Sequence, residues 1–383
     1  MTATPCKAFV RLRTGFILTF GLLALHAPAQ AQGSITLYGI LSEGLAWASN
    51  EGGHANLKLV SGTNQNSRFG LRGMEDLGGG VKAIFTLENG FDITTGKFQQ
   101  GGRMFGRQAY VGLSSERFGT LTAGRQYDTA YDYLAPFESA IAATGLAVHP
   151  GDNDDVFGSY RYNNSLKYQS PTVGGLRAQV MYAMSNAAGQ WALNRSVSSG
   201  VAYEASQFRL AAIYLQNDRP GAGANPSGAL TDDYAGAPFL LFHSSPLDPS
   251  VGVRRQREFG AGAQYTAGKL RASGLVTDVR YDYLDTTSLH LVNVDVSASY
   301  SVTPSLLLST GYVYTAGRYG GYNRAPHWNN IQAGADYFLS KRTDIYLFCD
   351  YQRASGANAD VYMFSPSSSA SQTVVVAGLR HKF

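Results

Sequence analysis

Residues 67–88 read SRFGLRGMEDLGGGVKAIFTLE, two alternating segments that flank a glycine-rich turn. In the first segment Phe69 and Leu71 alternate with Arg68 and Arg72, and the second segment repeats the pattern. Because successive side chains of a strand point to opposite faces, the stretch predicts a β-hairpin with one apolar and one charged face. The rest of the chain indicates what the apolar face contacts.

The composition of the 383-residue chain favours one large all-β unit. Charged residues make up 15% of the chain, against roughly 25% in typical soluble domains. Mean hydropathy is nevertheless only −0.15, so apolar residues must be interleaved with small polar ones. Such interleaving is typical of strands that face lipid on one side.

The first 31 residues are predicted to be a cleaved signal peptide, which leaves residues 32–383 as the mature barrel. A basic start is followed by an apolar run at 15–27 that is too short to span a bilayer, and 29–31 read Ala-Gln-Ala. Cleavage lowers the net charge from +4 to +1, because 31 − 3 = 28 basic residues then balance 27 acidic ones. This balance excludes a nucleic-acid-binding footprint. Cys349 remains as a single thiol, which predicts no intramolecular disulfide.

Period-two alternation recurs along the mature chain and predicts about sixteen strands, an even number typical of an antiparallel transmembrane barrel. Besides the two strands of the opening hairpin, the predicted strands are Ser34–Asn50, Arg103–Leu113, Gly119–Gln126, Arg161–Ser170, Gly175–Met184, Val197–Glu204, Gln207–Gln216, Arg257–Thr266, Lys269–Arg280, Leu291–Tyr300, Ser305–Thr315, Asn330–Tyr337, Thr343–Tyr351 and Gln372–Phe383.

The connections alternate in length, which favours an outer-membrane barrel over a soluble β-sandwich. Short turns are predicted at 76–79, 114–118, 171–174, 205–206, 267–268, 302–303 and 340–342. Long loops are predicted at 50–66, 92–102, 127–160, 185–196, 217–256, 281–290, 316–327 and 353–371. We therefore expect a transmembrane antiparallel β-barrel in outer-membrane lipid, with short periplasmic turns and long extracellular loops.

Six segments resemble the trimeric general porins of β-proteobacterial outer membranes. They are SITLYG at 34–39, SRFGLRGMEDLGGGVKAIFTLENGF at 67–91, GRQAYVGL at 106–113, FGTLTAGRQYD at 118–128, YNNSLKYQSP at 162–171 and GLRHKF at 378–383. The resemblance implies a Gram-negative outer-membrane channel, a homotrimer and a third loop folded into each lumen. We also expect the barrel-assembly machinery to bind the C-terminal strand, which ends in the aromatic Phe383.

Two features depart from the family pattern. Ser42 stands where the family usually carries an acidic residue, and the loop at 217–256 is longer than usual. That loop contains the apolar run PFLLF at 238–242. Packing against the barrel rim explains it more simply than a binding surface, although loops of this length are often functional.

The resemblance carries Arg68, Arg107 and Arg161 onto a basic wall at the pore constriction. Strand parity independently points Arg68, Arg72 and Lys82 inward, so we include all five in the wall. A porin has no reaction centre, and its functional residues are those that set the width and the field of its narrowest point.

Two arginines are harder to place by parity. Arg107 shares its parity with Ala109, Val111 and Leu113, which would carry it toward lipid at a cost of about 2–4 kcal/mol at the midplane. Following the family, we place Arg107 inside and expect those apolar residues to pack beneath the third loop. Arg125 points outward by the same rule, where only a subunit contact would tolerate it.

The stretch 127–160 contains six acidic residues and no Lys or Arg. Folded inward, it would face the arginines and create a transverse field across the pore. Asp128, Asp132 and Glu138 are the expected acidic side of the constriction. The alternative is a solvated surface loop, and Asp152–Asp155 could instead bind a divalent ion or form the base of the loop.

Enzymatic and cofactor chemistry finds little support in the sequence. The seven histidines show no metal-ligand spacing, and no G-x-S-x-G nucleophile motif is present. We therefore expect no enzyme, metal or cofactor, and instead a general diffusion porin for ions and small hydrophilic solutes that prefers anions. The alternatives are a substrate-specific channel, or a surface adhesin or receptor acting through residues 217–256.

Overall fold

The computed structural model describes residues 33–234, 236 and 240–383, so the predicted signal peptide lies outside the described residues. Within them the chain forms a helix and a series of long strands. The strands are β1 (Ser34–Glu51), β2 (His54–Ser61), β3 (Arg68–Gly78), β4 (Val81–Gly90), β5 (Gln108–Ser115), β6 (Gly119–Gln126), β7 (Tyr162–Gln169), β8 (Leu176–Ala183), β9 (Arg195–Glu204), β10 (Phe208–Asp218), β11 (Val253–Ala267), β12 (Leu270–Tyr283), β13 (Ser288–Thr303), β14 (Leu306–Gly320), β15 (His327–Phe338), β16 (Thr343–Ser355) and β17 (Ser371–Lys382), and the α-helix is α1 (Thr129–Leu134).

The strands form one closed antiparallel sheet, in which each strand pairs with the next in sequence, except β2 with β3, and β17 pairs with β1. The first part of β1 pairs with β3, and its second part pairs with β2. Since β2 and β3 share one position in the sheet, the 17 described strands occupy 17 − 1 = 16 positions. The predicted fold class, a sixteen-stranded antiparallel barrel, is confirmed.

The position shared by β2 and β3 is interrupted by residues 62–67, which turn into the lumen. Ser42 of β1 lies at the break, where its carbonyl oxygen accepts from Gly62 N (2.8 Å) and its own N–H donates to Ser67 Oγ (3.1 Å). Thr63 Oγ1 reaches across to the Tyr346 hydroxyl of β16 (2.6 Å). We call residues 62–67 the inward turn.

Two of the predicted long loops are wrong. The loop predicted at 50–66 contains β2, whose Leu57 and Leu59 face outward with 65% and 56% exposure. The loop predicted at 281–290 shrinks to residues 284–287, because β12 and β13 extend beyond the predicted ends. In both cases the alternation continues through polar residues that resemble loop composition.

Apolar side chains face outward and polar side chains face inward, the reverse of a soluble barrel. On β13, Val294 and Val296 are 38% and 50% exposed, while Asn293 and Asp295 are buried. Among the described residues, no helix combines the length and the apolar character that a membrane crossing needs. The exposed apolar side chains of the strands, such as Val294 and Val296, form the outer surface of the barrel.

The third loop, residues 127–161, folds into the lumen and crosses it. Its helix α1 lies against β8–β11, and the segment Ala140–Thr144 lies against β13–β15. Glycines of the inner wall make room for it: a Cβ at Gly260 would lie 2.4 Å from Leu134 Cδ1, and one at Gly262 would lie 2.2 Å from Phe137 Cδ2. Leu134 and Phe137 can contact the backbone of the wall only because these two positions carry no side chain.

The described residues of the loop that departs from the family pattern, 219–234, 236 and 240–252, pack into the long-loop end of the barrel. Buried Tyr234 donates its hydroxyl to Gln256 Oε1 of β11 (2.9 Å). Asp233 accepts from Arg125 Nη2 (2.5 Å), and Asn163 Oδ1 accepts from Arg125 Nη1 (2.6 Å). Arg125 is therefore buried and charge-paired within one chain, which corrects the expected subunit contact.

Candidate functional site

Two arginines converge on one tyrosine inside the barrel, and a third arginine lies beside the carboxylate that one of the two binds. Arg107 Nη2 and Arg161 Nη2 both donate to the Tyr127 hydroxyl at 2.6 Å. Arg107 Nε also donates to Glu88 Oε1 (2.8 Å), and Arg68 Nε lies 3.6 Å from Glu88 Oε2. We call Arg68, Arg107 and Arg161 the arginine cluster. Three guanidinium groups against one carboxylate leave a local excess of positive charge.

The members of the cluster differ in exposure. The Arg68 side chain is 19% exposed, whereas that of Arg107 is 3% exposed and the whole Arg161 residue 2%. The guanidinium groups of Arg107 and Arg161 also lie over the Tyr127 ring, at 5.9 and 4.6 Å from its centroid. Arg68 is thus the member that a solute can contact directly, and the other two form a charged layer behind it.

Arg107 points inward because it lies outside the strand whose parity made its position ambiguous. Strand β5 begins at Gln108, and the Arg107 backbone N–H donates to the Glu88 carbonyl (3.1 Å), which turns the side chain toward the lumen. Val111 and Leu113 are 61% and 51% exposed on the outer face. The expectation that these apolar residues pack beneath the third loop is therefore wrong.

The other two predicted basic residues do not join the cluster. Arg72 is four residues along β3 from Arg68, about 13 Å away at strand spacing, and its guanidinium lies 4.8 Å from the centroid of the Tyr38 ring. Lys82 lies opposite Asp76 in the register of β3 and β4, next to the short turn of the hairpin. Both residues share the strand parity of Arg68 and Glu88 but lie nearer the short-turn end.

The three predicted acidic residues of the third loop have other partners than the arginine cluster. Asp128 caps α1, with Oδ1 accepting from Tyr131 N (3.0 Å), and burial raises its pKa to about 7. Asp132 Oδ2 pairs with Lys167 Nζ of β7 (2.6 Å). Since Asp128 is only partly ionised at neutral pH and Asp132 is paired elsewhere, Glu88 of the wall supplies the negative charge next to the arginines.

Glu138 faces away from the lumen, which corrects its expected place at the tip of an acidic loop. The residue is fully buried, and neither carboxylate oxygen has a hydrogen-bond partner among the described residues. Burial raises the pKa of Glu138 well above its usual value. Next to it, Ser139 binds Asp295 of β13 through its backbone N–H (2.7 Å) and its hydroxyl, and so fixes the loop to the wall.

The acidic run at 152–155 organises the base of the third loop. Asp152 accepts from the backbone N–H groups of Phe157 (3.2 Å) and Ser159 (2.9 Å), and Asp155 accepts from that of Tyr160 (3.2 Å). Across residues 33–234, 236 and 240–383, no group of three or more His, Cys, Asp or Glu side chains is arranged to hold a metal ion. The hydrogen bonds that Asp152 and Asp155 accept connect them to the backbone at the end of the loop.

A cavity of about 70 Å³ lies between the arginine cluster and the third loop, and we call it the narrow passage. Its wall side is formed by Arg68, Arg107, Arg380 and the amide side chains of residues 64–66. Its loop side is formed by Tyr131, Ala140, Ile141 and Phe157. Sequence reasoning missed Arg380, although its inward parity on β17 was the same signal that identified Arg68.

Two larger cavities also lie along the inner wall. One of about 420 Å³, the vestibule, includes Arg161 in its lining and shares Asn66 with the narrow passage. Another, of about 340 Å³, is lined by Lys167 and Arg177 together with Asp132. Basic side chains therefore line all three cavities along the inner wall, an arrangement that raises the local concentration of anions.

Comparison with known proteins agrees with this geometry. The Gram-negative porin family matches residues 19–357. An outer membrane porin of Bordetella pertussis is 28% identical, with 96% of this chain and 99% of that protein aligned. The anion-selective porin from Comamonas acidovorans superposes with a TM-score of 0.75 at 24% identity, covering 92% of this chain and all of that one. OmpT of Vibrio cholerae in its trimer form superposes with a TM-score of 0.66 at 14% identity over 92% of this chain and 99% of that one.

Proposed function

This chain belongs to the Gram-negative porin family, and from that membership we propose that it is a general diffusion channel of the outer membrane that favours small anions over cations. The single observation that carries the anion preference is the basic lining of the narrow passage, which contains Arg68, Arg107 and Arg380 and, among the described residues, no carboxylate. Fixed charges in a confined, low-dielectric channel concentrate ions of opposite sign. The anion-selective porin from Comamonas acidovorans, a fold relative, supports the same direction.

The constriction that we propose differs from the one expected from sequence. Arg68, Arg107 and Arg161 remain its basic wall, and Arg380 joins them at the narrow passage. Arg72, Lys82 and the loop acids Asp128 and Asp132 act at a distance, through the field of the lumen as a whole. The opposing side is supplied by uncharged residues of the third loop.

We propose the homotrimer as the assembled state. The trimer form of the Vibrio cholerae relative supports this assembly. The apolar outer face supplies surface for both lipid and neighbouring subunits. The barrel-assembly machinery would bind the last strand, where the backbone groups of Phe383 and Gly39 exchange two hydrogen bonds of 3.1 Å.

Planar-bilayer recordings of the purified protein test the proposal. Under a gradient of potassium chloride, an anion-preferring channel gives a reversal potential displaced toward the chloride equilibrium potential. A displacement toward the potassium potential would overturn the anion preference, and absence of conductance would overturn the channel itself. Insertion events in groups of three conductance steps are expected for the trimer.

A further inference from the structure

The loop side of the narrow passage is apolar rather than acidic. Ile141 is 44% exposed although it belongs to a loop inside the barrel, and it lines the same cavity as Arg68 and Arg107. Tyr131 and Phe157 line the passage beside it. A solute that crosses here therefore meets guanidinium groups on one side and hydrocarbon or aromatic surface on the other.

The vestibule also combines a guanidinium group with apolar side chains. Arg161 lines it together with Leu240 and Met363. Its two carboxylates are already engaged, since Asp232 pairs with Arg103 and Asp233 pairs with Arg125. Among the described residues Arg161 has no carboxylate within ion-pairing distance, so its uncompensated charge adds to the field at the vestibule although the side chain itself is buried. The vestibule and the narrow passage share Asn66, which makes the two-sided lining continuous.

From this lining we infer that the channel favours carboxylates that bear an apolar or aromatic group, with benzoate as the simplest example, over polar carboxylates of equal size. The guanidinium groups bind the carboxylate through charge-assisted hydrogen bonds. The ring contacts Ile141 and the neighbouring aromatic side chains, which a hydroxylated chain cannot use in the same way. This inference rests on the proposed anion-preferring channel and names its solute class.

Bi-ionic reversal potentials in planar bilayers measure the preference. Potassium benzoate on one side is compared with potassium threonate, a hydroxylated carboxylate with the same number of non-hydrogen atoms. One aromatic contact predicts a benzoate permeability about three- to tenfold above that of threonate. A saturable block of chloride current by benzoate, absent with threonate, is the equivalent result if the solute dwells in the passage.

A pair of variants assigns the effect to the passage. Ile141→Asn removes the most exposed apolar contact of the passage and is expected to lower the benzoate-to-threonate ratio toward one. Leu284→Asn is the matched control, because Leu284 is also 44% exposed but lies in the loop 284–287 and lines neither cavity. The control is expected to keep the ratio of the unmodified protein.

The outcomes separate the inference from the proposed function. A chloride preference with equal benzoate and threonate permeability overturns only the inference. A benzoate preference that Ile141→Asn leaves unchanged also overturns it, because the passage would not be its source. A reversal potential that shows cation preference in potassium chloride overturns the proposed function and the inference together.

Discussion

Arg68 and Arg161 belong to one cluster, but their surroundings give them different tasks. Arg68 is the more exposed; its Nη1 donates to the Asn66 carbonyl (3.2 Å), and its Nε lies 3.6 Å from Glu88 Oε2. Arg161 is almost fully buried and donates to Tyr127 and to the Ser159 carbonyl. We therefore expect solute selection to depend mainly on Arg68 and stability mainly on the hydrogen bonds around Tyr127.

Replacement Arg68→Gln should reduce the chloride-to-potassium permeability ratio without unfolding the barrel. A unit charge about 4 Å from a passing ion contributes about 1 kcal/mol in water, equivalent to a factor of roughly five. Reversal potentials in a salt gradient measure the change. Arg209→Gln is the control, because Arg209 is 45% exposed at its side chain and pairs with Glu204 at a strand end. Equal effects of the two variants would contradict the assignment.

Replacement Tyr127→Phe should destabilise the protein by about 1–3 kcal/mol, because two buried guanidinium groups lose one shared acceptor. Thermal unfolding of the purified protein in detergent measures the effect. The control Tyr214→Phe removes a hydroxyl that donates to Gln216 (2.9 Å) in a partly exposed position. We expect it to change stability by less than about 0.5 kcal/mol. Unchanged stability of Tyr127→Phe would contradict this expectation and would show that water accepts the hydrogen bonds in place of the hydroxyl.

For single residues, the sequence predicts the face of the sheet to which a side chain points better than it predicts the residues that this side chain contacts. Parity placed Arg68 and Arg72 on the inner face, because a strand leaves only two choices. It could not place Arg107, whose orientation depends on where β5 begins. Parity also could not predict Glu88 as the partner of two arginines, since one contact joins β4 to Arg68 of β3 and the other joins β4 to Arg107 before β5.

Among the elements, the third loop depends on the absence of side chains along the wall. Gly262→Ala would place a Cβ 2.2 Å from Phe137, so the loop must move toward the lumen. We expect a loss of about 1–3 kcal/mol in stability and a lower single-channel conductance. Gly274→Ala is the control, because its nearest neighbouring atom would be 3.9 Å away. Normal conductance and stability in Gly262→Ala would contradict this packing.

The contact of the third loop with the wall should weaken as the pH rises. Burial raises the pKa of Glu138. Burial alone lowers the pKa of His149, but Asp154 and Asp295 raise it well above its usual value. Both groups therefore hold protons more tightly in the folded protein than in the unfolded chain. Their contribution to stability is complete below the unfolded pKa, about 4.5 for Glu138 and about 6.5 for His149, and it declines as the pH rises from there through the raised pKa of the folded state.

Glu138→Gln tests this pH dependence, because glutamine keeps the shape and cannot ionise. The variant should unfold at a higher temperature than the unmodified protein at pH 8 and should show a shallower decline between pH 5 and pH 9. Thermal unfolding in detergent across that range measures both. Glu116→Gln, in an exposed short turn, is the control and should follow the unmodified curve. An unchanged slope in Glu138→Gln would exclude Glu138 as its source.

Elements were predictable from the sequence where a strand repeats with period two. The alternation identified the strand positions of the barrel, including the buried polar face of β13. The alternation did not identify β2, because its polar residues resemble the composition of a loop. It also did not predict the conformation of residues 127–161. The conformation of that loop depends on contacts with at least six strands far away in the sequence, such as Ser139 with Asp295, and local pattern carries no trace of them.

Over the whole molecule, closure of the barrel depends on the pairing of the first and last strands. A Cβ on Gly39 would lie 2.3 Å from Cζ of Phe383, so the Phe383 ring packs into the space that the missing side chain leaves. The backbones of the two residues also exchange hydrogen bonds. We expect Phe383→Ala to slow assembly and to lower the amount of folded protein in the outer membrane. Heat-modifiability on gels after pulse labelling measures this. Phe118→Ala, an exposed aromatic residue at a short turn with 63% exposure, should assemble normally.

The inward turn has a consequence for how such channels can diversify. It contributes Asn64, Gln65 and Asn66 to the narrow passage, while the seam that closes the barrel is carried by the pairing of β1 with β17. Exchanges in the turn can therefore alter the aperture without touching the backbone ladder on which folding depends. A lineage of these proteins can explore new permeabilities there at little risk to its assembly, an advantage for a bacterium whose nutrient supply changes faster than its envelope machinery.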